Sequence, residues 1–137
     1  MTCEFKDLGR KKAEFAFIKI EEIYKENNKK FKSYIKQIPM YIYNNGLIAT
    51  LSFILKKSNK NKESEEGKSY CKICEILNGY LNDEKFNEYC IKPRSNDLKE
   101  IIKYLASNEC GSGEYRRITL NVLSILEWLI RFSEGIL

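Results

Sequence analysis

Histidine is absent from this 137-residue chain. Its absence removes the side chain most often used as acid, base or metal ligand near neutral pH. Proline occurs twice (Pro39 and Pro93) and glycine seven times, too few turn-formers for a chain of many short strands. No run approaches the roughly 18–20 consecutive apolar residues of a membrane-spanning helix. The opening residues, MTCEFKDLGRKKAEF, carry acids and no apolar segment. No secretory signal is therefore read there, and the cytoplasm is the default setting. What remains is rich in helix formers, 43% hydrophobic and 31% charged. This predicts one soluble, mainly α domain over residues 1–137.

The net charge of +5 is unevenly placed. Residues 1–62 hold 14 Lys/Arg and 6 Asp/Glu, a net of +8, while residues 63–137 hold 10 and 13, a net of −3. The first half suits phosphates and the second does not. A compositional origin competes with that reading. Nineteen of the 24 basic residues are lysine and Asn and Ile are also abundant, as an AT-rich coding sequence gives without any nucleic-acid partner.

Periodicity predicts a compact bundle of five to six helices. Ala13, Ala16, Phe17, Ile20, Ile23 and Tyr24 recur at three- and four-residue steps, giving a first helix from about Asp7 to Lys30 with that stripe buried. Between Pro39 and Lys57 two patterns compete. Tyr41-Ile42-Tyr43 before Asn45-Gly46 is a hairpin signal. Met40, Tyr43, Leu47, Leu51, Ile54 and Leu55 form a helical stripe, with Pro39 at a helix start. Two strands in a helical chain would expose edges with no sheet to join, so a helix is preferred, with Gly46 admitting a close neighbour. Ser58–Ser69 contains no apolar residue and is expected to be a mobile polar linker between a basic half (1–57) and a mildly acidic half (70–137). Tyr70, Ile73, Cys74, Leu77 and Leu81 predict a third helix, and Glu84–Cys90 a short one. Asp97 and Glu100 form a capping pair for a helix carrying Leu98, Ile101, Ile102 and Leu105. Gly111-Ser112-Gly113 breaks the chain, with Ser112 as N-cap of a last helix from Glu114 to about Glu134. Its inner stripe is Tyr115, Ile118, Val122, Ile125, Leu126, Leu129 and Ser133.

The search for chemistry is negative. Cys71-x-x-Cys74 is half of a structural zinc site, but Cys90 and Cys110 lie too far apart to form the second knuckle and no histidine can substitute. Reduced thiols in the core are the better reading, and no metal or cofactor is expected. Gly67-Lys68-Ser69 resembles the end of a phosphate loop, yet the first glycine of that motif is replaced by Lys62 and no buried strand precedes it. Carboxylate pairs such as Glu21-Glu22 and Asp83-Glu84 point apart on a helix. No catalytic set emerges.

The helix faces say more. At 100° per residue, Lys12 and Lys19 project within about 20° of each other, roughly 10 Å apart along the axis, near enough to meet neighbouring phosphates. Arg10 and Lys11 extend the positive end, and Glu14 and Glu21 take the opposite flank. An ordinary solvated face gives the same pattern. On the last helix Arg117, Ser124, Trp128 and Arg131 cluster away from the inner stripe, and Leu120 and Leu123 are also off it. Either neighbouring helices cover them, or Leu120, Leu123 and Trp128 form a docking surface for another protein.

Three segments carry a family resemblance. EYRRITLNVLSILEWLIRF (residues 114–132) resembles the C-terminal helix of the small helical subunit of the type III-B CRISPR effector, or RAMP module, complex. AEFAFIKIEEI (13–23) and IPMYIYNNGLIATLSFILKK (38–57), with its Asn45-Gly46-Leu47 core, agree in order and spacing. The resemblance implies a compact, non-catalytic all-α subunit with Asn45-Gly46 inside a helix. It implies copies stacked against the repeated backbone subunits, with backbone and large subunits, CRISPR RNA and target RNA as partners. A basic surface then holds the RNA strand. Lys19, Lys56, Lys57, Arg116, Arg117 and Arg131 fall within the matching segments, whereas Arg10, Lys11 and Lys12 rest on the helix-face argument. The competing reading is a helical protein-interaction module without a nucleic-acid role.

Overall fold

A computed structural model describes residues 8–87, 91 and 97–137. Among them are seven helices and no strand: α1 (Leu8–Lys25), α2 (Phe31–Ile35), α3 (Ile38–Asn45), α4 (Leu47–Lys60), α5 (Glu65–Asn82), α6 (Leu98–Leu105) and α7 (Ser112–Ile136). The all-α expectation holds. None of these helices is long and apolar enough to cross a membrane. Two pairs dominate the packing, α1 against α7 and α4 against α5. The short helices close the bundle: α2 touches α5 and α7, α3 touches α4 and α7, and α6 lies on α4 and α5.

The first helix ends earlier than its apolar period predicts. Asn27 takes a left-handed φ of 59°, and the Asn28 N–H reaches back to the Ile23 carbonyl at 3.3 Å. This is the six-to-one bond that closes a helix C-terminus. The buried stripe is Phe15, Ala16, Ile20 and Ile23. Phe17 and Tyr24, expected inside, are 41% and 63% exposed. Phe15 displaces them because its ring packs at 5.0 Å on Tyr80 and at 5.7 Å on Phe86.

The Pro39–Lys57 stretch is helical, as preferred, but it is two helices and not one. Gly46 sits between them with φ 86°, a conformation that L side chains seldom adopt, so the implied placement of Asn45-Gly46 inside a helix is corrected. The break rotates the face: Ile38 and Ile42 are buried in α3, while Met40 and Tyr43 turn outward at 63% and 71% exposed. From Leu47 on, the expected stripe is right, with Leu47, Leu51 and Ile54 fully buried.

No side chain of α4 or its flank caps its first turn. Tyr115 of α7 does so instead, its hydroxyl accepting the Ile48 N–H at 3.2 Å. The Asn-Gly-Leu and Glu-Tyr-Arg segments, 67 residues apart, therefore meet in space. Tyr115→Phe leaves that amide without its partner. We expect a loss of about 1 kcal/mol, read as a melting point roughly 3 °C lower with an unchanged helical spectrum.

The polar stretch 58–69 is not a mobile linker. α4 runs on to Lys60, only Asn61–Ser64 form the turn, and α5 starts at Glu65. Ser58, Gly67 and Ser69 are buried. The reason is local. Ser64 caps α5 by accepting the Gly67 N–H at 2.9 Å while its hydroxyl donates to the Asn61 carbonyl at 2.8 Å, and Glu65 and Glu66 suit the positive first turn. Low hydrophobicity alone points to disorder, but here the polar groups satisfy one another.

Asp97 caps α6 as expected, accepting the Glu100 N–H at 3.0 Å. Glu84–Phe86 form a turn and not a helix, because the Asp83 carboxylate accepts the N–H groups of Lys85 and Phe86 at 2.8 and 3.0 Å. The rest of that expected helix, 88–90, lies outside the described residues. Gly111, not Ser112, is the N-cap of α7. The α7 stripe is as expected, with Ile118, Val122, Ile125, Leu126, Leu129 and Ser133 buried and Tyr115 half-buried.

Candidate nucleic-acid interface

Lys12 reaches Ser124 and Phe17 meets Phe132, so residue numbers rise together along α1 and α7 and the helices run in the same direction. That brings Arg10 and Lys11 to the end of the pair that holds Arg116 and Arg117. Among the described residues, Lys11, Arg116 and Arg117 have no carboxylate partner. Lys56 and Lys57 lie toward the end of α4, the helix that packs on α5. Lys57 pairs with Glu66 at 3.6 Å and lies 5.7 Å from the Phe53 ring centre, while Lys56 is exposed.

Lys12 and Lys19 share a flank of α1, as their spacing requires, but their amines go different ways. The Lys12 amine donates to the Ser124 hydroxyl at 3.0 Å in the α1–α7 seam. Burial there pushes its pKa below the ordinary lysine value. Lys19 lies 3.9 Å from Glu22 and 5.4 Å from the Phe15 ring centre. A strand laid along this flank meets one amine already donating to α7 and another half-neutralised.

Arg131 is held on α7 by Glu127 at 2.6 Å and stands 5.3 Å from the Trp128 ring centre. Trp128 is half-buried and stacks on Phe132 at 5.7 Å. Leu123 is half-buried, whereas Leu120 is 56% exposed. Of the three residues read as a docking surface, Leu120 is thus the one most open to solvent. It lines a groove of about 500 Å³ between α3 and α7 with Pro39, Tyr43, Leu123, Ile130 and Arg131. Sequence reasoning missed Tyr43 and Met40, because the turn at Gly46 that exposes them was read as continuous helix.

A second pocket, of about 380 Å³, opens where the end of α1 meets the α4–α5 turn. Lys72 bridges Glu26 and Glu75 there at 3.0 and 3.3 Å. Burial works against its charge, but the hydrogen bonds and charges of both glutamates outweigh it, so its pKa is raised. Cys71 lines this pocket and donates to the Ser58 carbonyl at 3.3 Å. Cys71, Cys74 and Cys110 are free thiols and only half-buried; Cys90, weighed as a zinc ligand, lies outside the described residues. Burial raises the Cys74 thiol pKa most; a hydrogen bond with Ser58 works against it, and Cys71 and Glu75 add smaller raising effects. Among the described residues no group of three or more metal-binding side chains converges.

An all-α bundle with one cationic end and an unpaired apolar groove fits a subunit that docks on other macromolecules. The family model described as CRISPR-associated protein (Cas_Cmr5) matches residues 8–136, and the chain belongs to that family. It is a CRISPR-associated Cmr subunit, of the small-subunit family of type III-B systems.

Proposed function

We propose that the chain is a non-catalytic structural subunit of a cytoplasmic, RNA-guided antiviral effector. In this reading copies stack along the repeated backbone subunits, next to the large subunit, and support guide and target RNA through a basic surface. What supports it is that Arg10 and Lys11 share one end of the parallel α1–α7 pair with Arg116 and Arg117. Three of these cations have no carboxylate beside them among the described residues. Guanidinium and ammonium groups left open in this way bind phosphates without reading base edges. Lys12, Lys19, Lys56, Lys57 and Arg131 belong to the proposed surface with smaller weight, since all but Lys56 already have a partner within the chain. No cofactor or metal enters the proposal.

The test is target-RNA retention by the reconstituted effector, measured over a salt series. Lys11→Ala with Arg116→Ala and Arg117→Ala is expected to lower retention at least tenfold. The slope of log affinity against log salt should fall by about 2–3, as three phosphate contacts require. An unchanged slope in a fully assembled particle would refute the basic surface and favour a protein-interaction module without an RNA role. The exposed apolar groove is what that second reading has in its favour.

A further inference from the structure

The Cys71-x-x-Cys74 pair has no part in the function proposed above. A structural zinc ion takes four ligands, and among the described residues no three gather. A soft monovalent ion needs only a pair of sulfurs. Cys71 and Cys74 stand one turn apart on α5 and share a face of it. Both thiols are free and half-buried, and both meet the same residue of α4. Cys71 donates to the Ser58 carbonyl at 3.3 Å, and Cys74 is hydrogen-bonded to Ser58 as well.

On a helix the Cβ atoms of such a pair lie about 5–6 Å apart. A disulfide needs about 3.5–4.5 Å, so α5 would have to distort to form one. An ion held between the sulfurs spans the longer gap and leaves the helix intact. Cys71 also gives a way in, because it lines the pocket of about 380 Å³ between the end of α1 and the α4–α5 turn.

The charges of that pocket favour one valence. Its glutamates are already matched, Glu26 and Glu75 by Lys72 and Glu65 by Lys30. Lys62 and Lys68 line it with no carboxylate partner among the described residues. Two thiolates around a monovalent ion leave one negative charge for these lysines to offset, whereas a divalent ion leaves none.

We propose that Cys71 and Cys74 form a two-sulfur site for a soft monovalent metal ion, Cu(I), at the α4–α5 seam. Binding exchanges two S–H bonds for two Cu–S bonds and releases two protons to water. Neither the metal nor the sulfurs change oxidation state.

Anaerobic titration of the full chain with Cu(I), against bicinchoninate as competing chelator, tests it. One ion per chain should bind, and X-ray absorption should show two sulfur neighbours. Cys71→Ser and Cys74→Ser should each lower the affinity by about a hundredfold or more, since one sulfur then holds the ion alone. Cys110→Ser, the control, should bind as the parent does. Each change replaces one atom, and the helical spectrum checks that the fold is kept. A parent that leaves the ion with the chelator would overturn the site. So would an affinity that survives the loss of either cysteine, or a single sulfur neighbour in the bound ion.

Discussion

Gly67→Ala is expected to cost about 3–5 kcal/mol, a loss of roughly 10 °C in melting temperature or failure to accumulate as folded protein. A Cβ at this position would stand 1.8 Å from the Asn61 carbonyl oxygen and 2.7 Å from its carbon. Both are backbone atoms, so no side-chain rotation relieves the clash. The close approach is held by Ser64, whose hydroxyl binds the Gly67 N–H and the Asn61 carbonyl together. To admit a methyl group the α4–α5 turn must open, and those helices form one of the two main packing pairs of the bundle. Gly79→Ala, on the same helix, is the control. Its Cβ would meet nothing within 4 Å, so alanine's better helix propensity should stabilise by about 0.5–1 kcal/mol. Thermal unfolding of the two variants side by side checks the claim. A Gly67→Ala protein melting within 2 °C of the parent would show that the approach is not needed.

Gly67 also shows why the turn was illegible in the sequence. The stretch 58–69 has no apolar side chain, and hydrophobic periodicity is blind to a segment whose order comes from caps and backbone approach. Ser64 with Glu65 and Glu66 was a readable helix start that composition overrode. Elsewhere the period worked because the burial is one-sided. The α7 stripe and the Asp97 cap of α6 stand as read, since each depends on neighbours three or four residues away.

The two errors of face have one cause. A stripe read through a break keeps its phase on paper and loses it in space. At Gly46 the chain turns, so Met40 and Tyr43 leave the line that Leu47 and Leu51 continue. On α1, Phe15 and Phe17 both satisfy an approximate 3.6 period, and only the partner rings, Tyr80 and Phe86, decide which goes inside. The basic residues were legible as a list, but not as a surface. That Arg10 and Lys11 share an end with Arg116 and Arg117 depends on α1 and α7 running in parallel, a relation between elements more than a hundred residues apart.

Asn121→Leu is expected to destabilise by about 2–4 kcal/mol, because it takes the acceptor from the buried Tyr80 hydroxyl and breaks the buried bond to Asn87. Tyr80 donates its hydroxyl to Asn121 Oδ1 at 3.2 Å, Asn121 Nδ2 donates to Asn87 Oδ1 at 2.8 Å, and Asn87 Nδ2 donates to the Tyr80 carbonyl at 3.0 Å. The ring ties α5 to α7 and to the segment after Asp83, and all three side chains are buried. Leucine has the right volume and no polar atom, so the buried Tyr80 hydroxyl loses its acceptor and Asn87 the amide of Asn121. Burial, and then the Asp83 charge, hold the Tyr80 hydroxyl protonated beyond the ordinary tyrosine range. Because its folded pKa is raised, its contribution is complete below about pH 10, the unfolded value, and fades only above it. The Asn121→Leu loss should therefore be flat from pH 6 to 9. Asn121→Asp adds a sign test. A buried carboxyl has its folded pKa raised above the unfolded value of about 3.9, so this variant loses stability as pH climbs above that value. Denaturant unfolding at pH 4 and pH 7 reads the difference. An Asn121→Asp protein equally stable at both would mean that the ring is open to water, and that α7 is held by its apolar stripe alone.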